Sequence, residues 1–542
     1  MVPTNPLTRI ARLLREEKSE ISSIYFFAIL GGLIQLSLPL GIQAIIGFVV
    51  GGAMSTSLAI LIALAVGGVL CNGLLQMNQM KIIERINQKI FVRYSFAFTS
   101  HIPRLDLQKV DNVYLPELVN RFFDIPVLQK SLSKILLEFP LAITQILLGL
   151  VLLSFYHSAF IFFGILLLLV LYLIFYVTGN KGFQTSLEKS QYKYEVAGWL
   201  EEMARVVKQF KFSAHHSLHE KKADDKVINY VEARKKHFSI LLLQYNVLIA
   251  FKVLITAAML IVGCILLLNQ QINIGQFVAA EIVILIITTS VEKLIINMDS
   301  VYSALTSVEK INKLLDKPVE NEGTFAPVRQ EAFGIAFNDV SFAYREGHPI
   351  LKQLSVRIKP GAKVTITGKD GSGKSTILKL LTGAYPSFAG AVLINNIPIG
   401  NYSLEYLRSQ TGIVLNQQDV FTGSLWENIA LGNENADSAY ISKLTEITGL
   451  SKFIAGLPKG FDTVLDATGN RLPKNVVQKI MLVRALAHKP KLLLLEEPWQ
   501  GVGDVATKQI QQFLLTEVDA TVIVATNDPY FIRQSNQTIT LS

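Results

Sequence analysis

Eight residues, Gly368–Ser375, read GKDGSGKS and sit between a strand-like KVTIT and a helix-like TILKLL. That context suits a loop built to hold phosphate. Glycines at 368, 371 and 373 let backbone N–H groups curve around phosphate oxygens, Lys374 brings a cation to the β and γ phosphates, and the Ser375 hydroxyl can reach Mg2+. The candidate nucleotide-binding run is Gly368, Lys369, Asp370, Gly371, Ser372, Gly373, Lys374, Ser375 and Thr376. Further along, KLLLLEEP ends an apolar strand on two acids. A phosphate-loop enzyme needs one carboxylate to orient Mg2+ through water, here Glu496, and one to polarise an attacking water, here Glu497.

These residues need a sheet to position them. From Ile335 the chain alternates short β-rich runs with helical patterns: FNDVSFAY, KVTITG, STILKLLTG, AVLIN, a long helical stretch, KLLLLEE and TVIVAT. That order predicts an α/β nucleotide-binding domain over residues 331–542. Residues 317–330, polar with two prolines and a glycine, read as a linker.

The preceding half has a different solvent. Half of the chain is hydrophobic and only 17% is charged, which argues against an ordinary water-soluble protein. From Ile21 through Met80 there is no Asp, Glu, Lys or Arg, enough for two membrane crossings at about 20 residues each. Six spans are predicted, near 25–50, 57–78, 135–155, 159–177, 240–268 and 277–297, in an all-α membrane domain over residues 1–316. The short outer connections GGAMSTS, FYHS and NQQINIG carry no Lys or Arg, whereas the long inner stretches 81–134 and 181–236 are rich in both. The positive-inside rule then puts both termini in the cytoplasm of a multi-pass inner (plasma) membrane protein. The same distribution reads the net charge of +9 as membrane orientation, with no nucleic-acid partner.

The inner stretches keep helical periodicity, so the helices should run on past the membrane and fold back as hairpins. Residues 5–21 place Leu7, Ile10, Leu13 and Leu14 on one face beside arginines, which suits a helix at the lipid interface. Three charges are counted within the spans: Glu138 and Lys252 near inner ends, where a local pair or snorkelling explains them, and Glu281 deeper, a candidate for a translocation path. Cys71 and Cys264 lie in apolar runs without metal-ligand spacing and read as small hydrophobes.

Six spans with long inner extensions, then a linker and a phosphate-loop domain, resemble one half of an ATP-binding cassette (ABC) exporter. The likeness covers nearly the whole chain: FAYREGHPILKQLSVRIKPGAKVTITGKDGSGKST is similar to the family's opening nucleotide block, LPKGFDT to its approach to the signature motif, and VRALAHKPKLLLLEEP to its path into the carboxylates. INIGQFVAAEIVILI is similar to the last membrane helix of the toxin and protein secretion (type I secretion-like) branch. The resemblance implies ATP and Mg2+ as cofactors, Tyr344 stacking on adenine, and Asn416, with Gln417 beside it, in the loop that senses Mg2+.

The chain also departs from the family pattern. LPKNV, Leu472–Val476, stands for LSGGQ; Pro473 offers neither hydroxyl nor N–H, and Lys474 and Asn475 put side chains where glycines allow close approach. Asn527 stands at the switch histidine, Glu496 at the usual aspartate, and Gly503 at another aspartate with Asp504 adjacent. In this family each ATP lies between one subunit's phosphate loop and the other's signature, so a homodimer would repeat the LPKNV defect twice. The implied partners are a second half-transporter, heterodimer favoured over homodimer, together with membrane lipid, a transported substrate of peptide, protein or lipid-like kind, and room for an envelope adaptor. The alternatives are a self-sufficient homodimer in which Lys474 rebuilds the signature contact, and a non-transporting nucleotide-gated membrane regulator.

Overall fold

The computed structural model describes residues 5–51, 56–111, 113–212, 217–327, 331–345, 347–416, 419–465 and 472–541. The chain divides into two compact units, one of Met1–Pro103 with Val113–Lys317, the other of Arg104–Asn112 with Pro318–Ser542.

The first unit is helical. A short α1 (Pro6–Glu16) precedes α2 (Lys18–Val50) and α3 (Thr56–His101). After α4 (Leu107–Val110), which belongs to the second unit, come α5 (Leu115–Val119), α6 (Asp124–Tyr156), α7 (Ala159–Arg205), α8 (Val207–Phe212), α9 (Leu218–Leu268), α10 (Ile274–Ile296) and α11 (Met298–Leu315). Among the described residues six helical stretches are long and apolar enough to cross a membrane. Their outward surface is apolar too: Phe155 and Leu268 are each 82% exposed. Leaving such side chains in water costs about 25 cal/mol per Å2, a cost that lipid removes.

The helices continue well past a bilayer's thickness: α9 has 51 residues, about 75 Å of helix against a hydrocarbon core of about 30 Å. Between α9 and α10 a capping box closes the turn, with Asn273 and Gln276 exchanging side-chain and backbone bonds. The expected outer turn at 51–57 and the linker at 317–330 lie partly outside the described residues.

The charges within the spans number more than the three counted above, because Glu292 and Lys293 also fall within 277–297. Both are used. Glu292 accepts from the Lys252 ammonium at 2.7 Å, joining α10 to α9, and Lys293 pairs with Glu138 on α6 at 3.1 Å. Local pairs therefore account for Lys252 and Glu138. Among the described residues Glu281 has no such pair, and its Oε2 is buried without a hydrogen-bond partner.

The second unit is built on two main sheets. The antiparallel one runs in the order β2 (Leu351–Ile358), β1 (Ile335–Phe342), β4 (Ala389–Ile394), β5 (Ile397–Pro398). The parallel one runs β11 (Gln537–Leu541), β3 (Lys363–Gly368), β10 (Thr521–Ala525), β9 (Leu492–Glu496), β6 (Thr411–Val414). A two-stranded pair, β7 (Gly423–Ser424) with β8 (Val464–Leu465), stands apart. Leu492–Leu495 are fully buried, as a central parallel strand covered on both faces requires.

Helices α12 (Lys374–Leu381), α13 (Leu404–Ser409), α14 (Leu425–Ala430), α15 (Ser438–Ile447), α16 (Ser451–Ala455), α17 (Lys474–Ala487), α18 (Asp504–Thr516) and α19 (Pro529–Gln534) complete the described part of the unit. Register sets Ala525 beside both Ile366 and Glu496, so the carboxyl ends of β3, β10 and β9 lie side by side. Ligands of parallel α/β sheets bind at that edge.

Candidate functional site

The phosphate loop leaves β3 at Gly368 and enters α12 through Gly373, whose φ of +95° is left-handed. A Cβ there would lie 2.8 Å from Leu351 Cδ2, so both backbone and packing require glycine. Lys374 folds back over the loop, its Nζ donating to the carbonyls of Gly368 (2.7 Å) and Lys369 (3.0 Å), with the Asp370 carboxylate 3.7 Å away. Inside the loop the Ser372 hydroxyl is buried and has no partner. A buried donor of this kind fits an acceptor such as a phosphate oxygen.

Three residues far apart in sequence meet beside the loop. The Ser375 hydroxyl donates to Glu496 Oε1, and Glu496 Oε2 accepts from the Asn416 backbone N–H at 3.1 Å. The Ser375 hydroxyl and the Glu496 carboxylate offer oxygen, which a hard cation such as Mg2+ prefers, while Asn416 presents a backbone N–H. Among the described residues no three His, Cys, Asp or Glu side chains converge, so a cation here would take its remaining ligands from phosphate and water. Gln417 lies outside the described residues.

Glu497 follows at φ +40°, with its N–H bonded to Ala525 O at 3.0 Å. Its Oε2 accepts from the Thr526 hydroxyl at 3.0 Å. Burial pushes the Glu497 carboxyl up, against the opposing pull of the Thr526 bond and the Lys374 charge. A carboxylate held this way is a better proton acceptor than a solvated one.

A cavity of about 370 Å3 joins these groups, lined by Tyr344, Gly371, Gly373, Lys374, Ser375, Thr376, Asn416, Glu496 and Glu497 among others. The structure thus gathers the predicted site. Lys369 contributes through its carbonyl, and the exposed Asp370 carboxylate sits at the rim. Tyr344 reaches Thr376 Oγ1 with its hydroxyl at 3.4 Å.

Sequence reasoning passed over several participants. Gln478 on α17 donates its amide to the carbonyls of Glu497 (3.3 Å) and Pro498 (3.1 Å), fixing the backbone behind the carboxylate. Asn527, singled out above at the switch-histidine position, has a contact the sequence does not show: its Oδ1 turns to the phosphate loop, accepting from the Thr367 hydroxyl at 2.7 Å and, at a long 3.5 Å, from Gly368 N–H. Lys379 and Ile350 also line the cavity. No local spacing marks these contacts; each depends on which strand neighbours which.

α17 begins at Lys474, with Pro473 in the preceding cap position and no side-chain cap bond. Pro473, Lys474 and Asn475 are exposed. Residues 466–471 before them lie outside the described set.

Fold and site together define a multi-pass membrane protein that carries a phosphate-loop nucleotide domain. The model of the ABC transporter transmembrane region matches residues 21–291 and the ABC transporter model matches residues 351–500. The chain belongs to the ABC transporter family. It is 23% identical over 516 residues to the lactococcin-A transport/processing ATP-binding protein LcnC of Lactococcus lactis, covering 94% of this chain and 72% of that one. It is 29% identical over 287 residues to an ATP-dependent lipid A-core flippase of Burkholderia orbicola, covering 52% of this chain and 47% of the flippase. The match thus spans less than half of the flippase's own length. A bacterial Atm1-family ABC exporter solved with ATP bound shares the fold at a TM-score of 0.85 and 19% identity, over 97% of this chain and 93% of that one.

Proposed function

We propose that this chain is the ATP-binding, hydrolysis-impaired half of a dimeric ABC exporter. The observation that carries the reading is a contrast. The Lys374, Ser375 and Glu496 cleft adjoins a phosphate loop whose Ser372 hydroxyl is buried and unsatisfied, whereas α17 opens on Pro473, Lys474 and Asn475. The cleft groups would hold a triphosphate, with Ser375 and Glu496 holding Mg2+ and Asn416 beside them; the cation would neutralise phosphate charge. Glu497 would accept a proton from water.

In this reading residues 1–316 form the membrane domain, 317–330 the linker and 331–542 the nucleotide domain, with both termini cytoplasmic at the inner membrane. A heterodimer with an intact half is favoured, since that partner would supply a signature with N–H groups and a hydroxyl to this chain's phosphate loop. The relatives named for lactococcin and for lipid A-core support a peptide, protein or lipid-like substrate. The lactococcin relative aligns along nearly the whole chain and favours peptide or protein, as in the type I secretion-like branch.

The test is Mg-ATP binding and hydrolysis by the full chain in lipid nanodiscs, alone and with an intact half-transporter. Binding that Lys374→Ala abolishes, with slow turnover alone and faster turnover in the mixed dimer, is expected. Turnover by the lone chain as fast as in the mixed dimer would overturn the impaired reading. The second reading, a self-sufficient homodimer, draws support from Lys474, an exposed cation that pairs with no described acid at the start of a 14-residue helix. Lys474→Ala would then abolish turnover.

A further inference from the structure

Where α2 ends and α9 turns into α10, a cavity of about 930 Å3 lies wholly within the first unit. Its polar side chains are amides: Gln43 on α2, and Gln270, Gln271, Asn273 and Gln276 on the turn and the start of α10. Among the described residues no acid or base lines it. The rest of the wall is apolar. Leu40, Val50 and Ile274 line it and are 45%, 72% and 55% exposed, so its mouth lies in the apolar surface that lipid covers. Gly275 lets α10 come close to α2, since a Cβ there would lie 3.1 Å from the Gln43 carbonyl oxygen.

Three of the amides have a fixed sense. Gln43 Oε1 accepts from the Tyr156 hydroxyl at 2.6 Å. Asn273 Oδ1 accepts from the Gln276 N–H at 2.8 Å, and Gln276 Oε1 accepts from the Asn273 N–H at 2.9 Å. In the last two bonds the donor is a backbone N–H, so the atom that meets it must be oxygen and neither amide can be turned around. With these oxygens engaged, Gln43, Asn273 and Gln276 are left with NH2 groups that have no described partner. The cavity offers hydrogen-bond donors without a charge, beside apolar walls.

That combination selects a ligand. A group with no acceptor would strip water from the donors and give nothing back. A carboxylate or phosphate would accept, but it would bring its charge against apolar walls with no cation in the described lining. An uncharged acceptor at the root of apolar chains meets both conditions, and the ester carbonyls of a diacyl lipid are such a group. The level agrees as well. Gln43 lies about 10 Å of helix short of Val50, the end of α2, near the rim of a hydrocarbon core about 30 Å thick.

We propose that this cavity binds the ester-linked glycerol region of a membrane phospholipid. The amide N–H groups of Gln43, Asn273 and Gln276 hold its carbonyl oxygens, and the acyl chains lie against Leu40, Val50 and Ile274. Tyr156 is a positioning residue, which holds the Gln43 oxygen and so turns the donors to the ligand. The site needs no nucleotide and stands apart from the reading of the cleft.

The experiment titrates the full chain, purified in detergent without added lipid, with diacyl phosphatidylcholine and with a diether analogue of the same chains and headgroup, which lacks the carbonyls. Native mass spectrometry reads the affinity of the first lipid retained. The wild type is expected to prefer the diacyl lipid about tenfold, the scale of one to two neutral hydrogen bonds. Gln43→Leu should cut that preference to about twofold. Gln276→Glu keeps an oxygen for the Asn273 N–H, and with it the capping box, but loses the NH2 donors; the preference should fall by a similar factor. Tyr156→Phe leaves every lining residue in place and should lower the preference by releasing the Gln43 amide, whereas a merely structural loss would weaken both lipids equally.

Equal affinity of the wild type for the two lipids would overturn the proposal. So would a preference that Gln43→Leu and Gln276→Glu both leave untouched, since the selective site would then lie elsewhere. Should Gln43→Leu fail to fold, Gln276→Glu decides. If the two lipids bind alike and a short uncharged peptide binds in a way that Gln43→Leu abolishes, the cavity belongs to peptide and the lipid assignment falls.

Discussion

Asn527 offers a measurable test of how the loop is held. Its Oδ1 takes the Thr367 hydroxyl at 2.7 Å, a well-formed bond, and the Gly368 N–H at 3.5 Å, which is too long to count for much. Removing one neutral hydrogen bond at an exposed site costs about 1 kcal/mol. If that bond keeps Gly368 in the geometry that receives phosphate, Asn527→Ala should weaken ATP about fivefold. Thr367→Val removes the same bond from the other end. The two single variants should therefore each lose about 1 kcal/mol of binding and the double variant little more, a coupling of about 1 kcal/mol. Isothermal titration of the full chain in nanodiscs with Mg-ATP measures all four corners of this cycle. Additive losses, with coupling under about 0.3 kcal/mol, would show that Asn527 does not act through Thr367.

Two further outcomes follow from charges already placed. Burial raises the Glu497 carboxyl, so its contribution to stability is present below the unfolded value and lost as pH rises through the folded one. Glu497→Gln should therefore raise the melting temperature at pH 8 and give a smaller gain near pH 4.5; equal gains at both values, read by thermal unfolding, would contradict the assignment. Lys252→Met leaves Glu292 without its 2.7 Å partner inside the membrane domain, at a cost below the roughly 2.5 kcal/mol of a charge at mid-membrane, since the pair sits near an inner end. Heat-challenge chromatography in detergent should show that loss, and the swapped pair Lys252→Glu with Glu292→Lys should recover most of it; a swap no better than the single change would refute the pairing.

Much of this was legible because the signals were local. GKDGSGKS between a strand and a helix names its own geometry, and the leucines before Glu496 mark a buried strand whose end must surface at the ligand edge. Long uncharged runs likewise announce membrane helices. What escaped was set by tertiary register. Nothing near Tyr156 in the sequence points to Gln43, and nothing near Gln478 points to the carbonyl of Glu497; both contacts exist because α6 and α17 pack beside particular neighbours. The Glu292 and Lys293 pair shows a different failure. The acid Glu292 and the base Lys293 are both present in the 277–297 run, but adjacent helical residues point about 100° apart, so their partners lie on different helices and no single segment reveals them.

The proposed reading sets an intact phosphate loop against an altered signature, and the packing of the two regions differs in the same sense. The phosphate loop and the carboxylates are extensions of β3 and β9, strands whose residues are almost wholly buried, and a change at Gly373 would collide with Leu351 at 2.8 Å. Function and packing constrain those positions together. The start of α17 is exposed, and substitutions at exposed positions away from special contacts usually shift stability by less than about 0.5 kcal/mol. Pro473 is even well suited to its place, since it stands before the first helical turn, where its missing N–H breaks no intrahelical bond. LPKNV is therefore compatible with a stable fold, and in the proposed reading it lacks donors that a phosphate held by a second subunit would need. Stability does not oppose substitution at the start of α17, whereas it does oppose substitution at the phosphate loop, which is the asymmetry that the proposed binding-competent, hydrolysis-impaired half would require.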